Sequence, residues 1–196
     1  MGQNLEELFD VVDTQDRVTG QATRREVHAR ELWHRAVHVF VLNGKGEVFL
    51  HQRSLTKDSF PGLWTSSCAG HVAAGDEYDE TALREMEEEL GLRLSRKISP
   101  HKAAPTGESP HKAGSGDPTL QLQPLLKVDA CRETGEEFVW VYAVRAEGPF
   151  ALNPAEIQQG GWYSPADIDR WLERRPVEFA ASFRFLWPRV RGALEA

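Results

Sequence analysis

The chain has little cysteine, no long apolar run and no concentration of positive charge, and each shortage removes a class of protein. Its two cysteines, Cys68 and Cys131, cannot build a disulfide framework or a cysteine-based zinc pattern, and one distant pair suits a reducing compartment. No apolar segment approaches the roughly 20 residues that span a bilayer, so no membrane-spanning helix is expected. The start, "MGQNLEELFDVVD", is acidic and lacks the charged-then-apolar plan of a signal peptide, which leads to the expectation of a cytoplasmic location. A formal net charge of −7 without a basic run argues against nucleic acid or an anionic membrane as the main partner. It leaves room for a local basic pocket that holds a small anion.

What remains is an ordinary globular composition, 40% hydrophobic and 27% charged, too apolar for a disordered chain. The length of 196 residues fits one domain, 1–196, with a core of its own. "LFDVVDTQDRVTGQATR" reads as two short strands around a polar turn at Thr14–Arg17, and "REVHARELWH" as a connector or short helix, so 1–33 form N-terminal strands and a connector. These strands either pair with a second copy of the chain, giving a homodimer, or cover the domain. Apolar runs at Val37–Leu42 and Val48–Leu50 flank "NGKG", a hairpin turn, and Pro61-Gly62 marks a loop. "TSSCAGHV" can be a short strand running into Gly70.

From Tyr78 to Leu90 the period becomes helical, with Ala82, Leu83, Met86 and Leu90 on one stripe, Asp76 placed to cap the start and Gly91 to end it. The pentapeptide Ser-Pro-His-Lys-Ala occurs at Ser99–Ala103 and again at Ser109–Ala113, within a Pro-, Gly- and Ser-rich stretch that reads as a flexible insertion over 99–118. "LQLQPLLKVDAC" and "EEFVWVYAVRA" read as strands around a "RETGE" turn, and "GGWYSPADIDRWLE" as a strand and a helix capped from Ser164. A last amphipathic helix falls within 176–196, closed near Pro188. Strands and helices mix without regular alternation, which favours an α+β fold with a mixed sheet.

Four of the five residues from Glu85 to Glu89 are glutamates. Glu85, Glu88 and Glu89 stand at i, i+3 and i+4, where like charges on a helix repel by a few tenths of a kcal/mol per pair. Either water screens them or a cation belongs there. Hard divalent ions such as magnesium take carboxylates, water and substrate phosphate as ligands, and a glycine loop at Gly70 and Gly75 can bring backbone carbonyls to the same ion.

The stretch from Gly70 to Leu92 resembles the Nudix box: Gly, five residues, Glu, seven residues, then Arg-Glu-apolar-x-Glu-Glu-x-Gly-apolar. Gly70, Arg84, Glu85, Met86, Glu88, Glu89, Gly91 and Leu92 match in register, and Asp76 stands where the family has Glu. The resemblance implies an α/β/α sandwich and Mg²⁺- or Mn²⁺-dependent hydrolysis of a nucleoside diphosphate derivative or other organic diphosphate. It implies metal ligation by Glu85, Glu88 and Glu89 with the Gly70 carbonyl, and support of the site by Arg84 and by Asp76 or Glu77. A further acid often completes the site, for which Glu136 and Glu137 qualify and Glu137 is preferred because it directly precedes the apolar run. Glu85 and Glu137 are the candidates for general base.

The segment "HRAVHVFVLNGKGEVFLHQRSLTKDSFPGLWTSSCAGH" is also similar to isopentenyl diphosphate isomerases, which share the fold. Arg53 and Lys57 fall on their diphosphate-binding positions, where a guanidinium fork and an ammonium suit phosphate oxygens. His34, His71 and Glu137 match three metal-site positions of that enzyme. Its essential cysteine falls on Ala69, with Cys68 one residue early; its upstream histidine falls on Val27, beside His28; and the first acid of its Glu-x-Glu pair falls on Gly135. The intact acidic trio beside Ala69 favours a hydrolase. Isomerisation of isopentenyl diphosphate is the alternative, and a non-catalytic diphosphate sensor a second one. On the hydrolase reading His34, His38 and His71 are expected to be structural or to line the substrate.

Overall fold

The computed structural model describes residues 4–94 and 121–194. The anticipated insertion and its repeated pentapeptide lie outside the described residues.

Strands β1 (Leu8–Val12) and β2 (Val18–Thr23) form an antiparallel ribbon, followed by the short helix α1 (Arg24–Ala29). Thr23 caps α1 in a reciprocal box with Glu26, which stops the strand and starts the helix at one residue. The main sheet has seven strands: β3 (His34–Leu42), β4 (Val48–Arg53), β5 (Trp64–Thr65), β6 (Cys68–His71), β7 (Gln123–Val128), β8 (Glu137–Arg145) and β9 (Ile157–Tyr163). The order is β5-β4-β3-β8-β7, with β6 also on β3 and β9 also on β4. Only β3 and β8 run parallel among these pairs, so the sheet is mixed.

Strand β3 is buried on both sides, and its alternation sorts two cores. Ala36, Phe40 and Leu42 join Leu50, Val139 and Val141 against helices α3 (Pro165–Arg174) and α4 (Ala181–Leu194). Val37, Val39 and Val41 face the other way, onto Ala82, Met86 and Leu90 of α2 (Tyr78–Leu90). The result is the α/β/α sandwich with a mixed sheet that the sequence implied. The N-terminal ribbon is pinned to it around Asp16, which accepts from Arg35 at 2.7 Å and Tyr78 at 2.9 Å and pairs with Lys127. Among the described residues no helix is long and apolar enough to cross a membrane.

Two local expectations need correction. Asp76 does not cap α2: the N-cap is Glu77, with no side-chain cap bond, and Asp76 contributes only a backbone N–H to the Ala73 carbonyl. Pro188 does not close the last helix, which runs on to Leu194. Phe183, Leu186, Trp187, Val190 and Leu194 form one buried stripe across the proline, so packing outweighs the missing backbone donor. Gly91 does end α2, in the left-handed conformation at φ 68°.

Candidate active site

Helix α2 turns Glu85 and Glu89 inward with the apolar residues Ala82, Met86 and Leu90, so these two carboxylates are not a solvated face. They are 9% and 4% exposed, whereas the Glu88 side chain keeps 57% of its surface. Burial is the main cause that pushes the Glu85 carboxyl up to about 7, against the pull of Arg84. Burial also raises Glu89, reinforced by the neighbouring charges of Glu85 and Glu156. Arg84 Nη1 stands 2.9 Å from Glu85 and 3.5 Å from Glu88, while the buried Arg84 Nη2 and Glu89 Oε2 have no hydrogen-bond partner. Crowded buried carboxylates with an unpaired oxygen fit a divalent cation, whose charge would offset their repulsion.

Gly70 makes room for this arrangement. A Cβ there would stand 2.2 Å from Glu85 Cδ, in the space the carboxylate occupies. Gly70→Ala is therefore expected to displace Glu85 and lower divalent-cation affinity about tenfold or more, by analogy with lost positioning contacts at metal sites. Calorimetric titration with Mn²⁺ checks this, with circular dichroism confirming the fold.

The acids open onto a cavity of about 340 Å³ whose wall includes Arg24, Arg53, Lys57, Glu137 and Glu156. Arg53 donates to the Ser59 carbonyl at 2.9 Å and to its hydroxyl at 3.1 Å, and Lys57 pairs with Glu156. Burial lowers the Arg53 pKa, countered by the charges of Glu89, Glu156 and Glu137, so the guanidinium lies among three acids. The structure thus brings Arg53 and Lys57 to one cavity with the helix glutamates. Asp76 makes no side-chain bond to Arg84, whose Nη1 is instead held by Glu85 and Glu88.

Glu137 lies elsewhere on the cavity wall, against histidines. Its Oε1 is 2.9 Å from His71 Nε2 and 3.6 Å from His34 Nε2, yet neither ring nitrogen is in an aligned hydrogen bond. Burial alone would raise Glu137, but the two imidazoles outweigh it and hold the carboxylate below its ordinary range. His34 Nδ1 is 2.9 Å from the Leu32 carbonyl, which only accepts, so Nδ1 carries a proton and Nε2 is the ring atom that faces Glu137. A buried carboxylate beside two ring nitrogens that lack an aligned hydrogen bond leaves a place for a proton or a cation between them. His28 completes the group: ligand atoms of His28, His34 and His71 lie within 4.8 Å of one another. This set suits zinc or another ion that favours imidazole. Glu136 instead accepts from Trp33 Nε1 at 3.0 Å, which separates its role from that of Glu137.

The sequence reading missed two cavity-wall residues, Arg24 and Glu156, and the histidine neighbour His28. His28 was set aside because the isomerase-like position falls on Val27, but on α1 Val27 enters the core beside Phe9 and Ala22 while His28 packs edge-on against His34 and His71. Arg24, on the same helix, is buried over the Phe9 ring. Glu156 arrives because β9 pairs with β4, its carbonyl accepting from Ser54 at 2.9 Å. The only signal in the sequence was a lone acid ahead of the β9 strand.

Buried carboxylates on a helix facing Arg53 and Lys57 across a small cavity are an arrangement able to hold a cation beside an anionic ligand. The chain belongs to the NUDIX domain family, whose model matches residues 32–183, and is an enzyme of the Nudix hydrolase kind. It is 33% identical over 163 residues to an uncharacterised Nudix hydrolase of Yersinia pestis, covering 83% of this chain and 75% of that one. An uncharacterised Nudix hydrolase of Streptomyces coelicolor is 49% identical over 88 residues, 45% of this chain, and the match spans about half (49%) of that relative. An isopentenyl-diphosphate Delta-isomerase of Paenarthrobacter aurescens is 28% identical over 193 residues, 97% of this chain and 94% of that one. Among solved structures, the protein DR0079 of Deinococcus radiodurans superposes with a TM-score of 0.72 at 27% identity, covering 93% of this chain and 98% of that one.

Proposed function

We propose that the chain hydrolyses the diphosphate linkage of a small organic or nucleoside diphosphate, with Mg²⁺ or Mn²⁺ held by Glu85, Glu88, Glu89 and the Gly70 carbonyl. The observation that carries this reading is the burial of Glu85 and Glu89 beside Glu156, opposite Arg53 and Lys57 on one cavity wall. The bound ion would supply positive charge against the diphosphate oxygens and make water a better nucleophile. Arg53 forks onto a phosphate, Lys57 adds a point charge, and Arg84 holds Glu85 and Glu88 in place. Of the two candidate bases, Glu137 is held below the ordinary carboxylate range by its histidines, which weakens it as a proton acceptor and favours Glu85.

Isopentenyl diphosphate isomerisation is the second reading, favoured by the gathering of His28, His34 and His71 next to Glu137. Ala69, where that enzyme needs its cysteine, counts against it. The deciding experiment is a phosphate-release screen over many diphosphates with Mg²⁺ and Mn²⁺, with NMR on the isopentenyl diphosphate sample. Release from at least one compound is expected. A dimethylallyl product without phosphate would replace the reading with the isomerase, and binding without release under either metal would replace it with a sensor.

A further inference from the structure

We propose that His38 reads a hydrogen-bond donor, a hydroxyl or an amino group, on the organic part of the diphosphate substrate. The inference rests on the diphosphohydrolase reading and adds a substrate feature to it. His38 sits on β3, opposite Ala69 of β6 and beside Val141 of β8, on the same sheet face as His34 and Ala36. It is 5% exposed and lines the cavity together with the small or short side chains Ala36, Thr65, Ala69, Ala180 and Ser182. Ala36, Thr65 and Ala180 are buried too, so this is the inner end of the cavity, while Phe60 marks the open rim.

Proton counting fixes which tautomer the ring adopts. His38 Nδ1 lies 2.8 Å from the Ser66 hydroxyl oxygen, and that hydroxyl lies 3.2 Å from the Cys68 carbonyl oxygen. The Ser66 hydroxyl is placed to donate to the Cys68 carbonyl, which only accepts, and with its proton there the Ser66 oxygen accepts from Nδ1–H. The other nitrogen, Nε2, is then a bare acceptor, and it is the ring atom left for the cavity. Burial, the largest cause, keeps the imidazole neutral by lowering its pKa to about 4, with the Glu137 charge opposing and the Arg53 charge assisting. Arg53 and Lys57 satisfy the anionic end of a ligand, so the acceptor at the inner end meets the organic part. A hydrocarbon there would leave Nε2 dry and unpaired, whereas a hydroxyl or N–H satisfies it. Sites built this way reject analogues lacking the donor far more strongly than apolar pockets reject an extra group.

The test uses short n-alkyl diphosphates and their ω-hydroxyl counterparts as matched probes. Binding is measured by calorimetry without divalent cation, and phosphate release is measured in parallel with Mg²⁺. At the chain length that fits, the hydroxylated member is expected to bind about tenfold or more tightly than its partner, and His38→Phe is expected to bring that ratio close to one. Nitrogen-15 NMR of the histidine rings in the wild-type protein gives a readout that needs no variant: His38 Nδ1 protonated and Nε2 bare. Equal binding within every pair, or a proton on Nε2, overturns the inference even if phosphate is released. A hydroxyl preference without release of phosphate from any compound sustains it and sinks the hydrolase reading instead. Absence of binding by all probes overturns the inference and leaves the hydrolase reading to the broad phosphate-release screen.

Discussion

Glu89→Gln is expected to abolish turnover while leaving the protein folded and no less stable. A divalent ion at a phosphoryl centre contributes several kcal/mol of charge stabilisation, and at about 1.4 kcal/mol per tenfold its loss lowers kcat by roughly a thousandfold. The substitution keeps the shape of the side chain and removes a buried charge crowded by Glu85 and Glu156. Thermal melting in metal-free buffer at pH 8 should therefore give an unchanged or higher Tm than wild type. Glu88→Gln should lose turnover similarly from a mostly exposed position, where surface substitutions alter stability by about 0.5 kcal/mol or less. Full activity in both variants would remove the acidic helix from the chemistry. A Glu89→Gln protein that melts well below wild type would show that the carboxylate is structural.

The second large effect is a stability that depends jointly on pH and cation. Glu85 titrates at about 7 in the folded chain against 4.5 for the free group, and Glu89 shifts in the same direction. A carboxyl raised in this way stabilises the fold fully below about pH 4.5 and loses that contribution as pH rises through 7. The span corresponds to about 3 kcal/mol for Glu85, with the opposing pull of Arg84 already included in it. Buried His38, His51 and His71 titrate with the opposite sign: burial lowers them to about 4, 3 and 4, so they add stability as pH rises toward 6.5. The clean readout is therefore the Tm difference between wild type and Glu85→Gln, in which the histidine contributions cancel. Wild type should fall relative to the variant between pH 5 and pH 8 by several degrees, at about 2–4 °C per kcal/mol. Mg²⁺ should recover the loss at pH 8 and do little at pH 5, since only ionised carboxylates bind it. A difference that stays flat across this range would mean that Glu85 is not desolvated in solution.

Much of this was legible because the relevant signals were periodic or local. Helix α2 was readable to its ends from one apolar stripe and Gly91, and strands β3 and β8 from apolar runs of the right length. Capping at Asp76 and termination at Pro188 were both local rules: the helix starts after Glu77 instead, and the packed α4 stripe carries the last helix past its proline. The burial of Glu85 and Glu89 follows from the same stripe, since positions i and i+4 after Thr81 and Ala82 point inward with it.

Residues that depend on long-range pairing were not legible. Glu156 meets Lys57 only because β9 lies along β4, and Glu137 meets His71 only because β8 and β6 flank β3 at the same level. His28 was lost to a one-residue offset, since the matched position falls on Val27. Moving one residue along a strand reverses the side chain, but along α1 it turns Val27 into the core and leaves His28 facing His34.

The central claim is that the inward glutamates of α2 form a cation site serving a diphosphate. A Mn²⁺ titration followed by the loss of the free-ion electron paramagnetic resonance signal tests it most directly, on wild type and on the Glu85→Gln/Glu89→Gln double variant. Saturable binding to wild type at pH 8, weaker binding at pH 5 and loss of binding in the folded double variant are the predicted results. Binding that persists unchanged in the double variant would place the ion with His28, His34 and His71 and contradict the account.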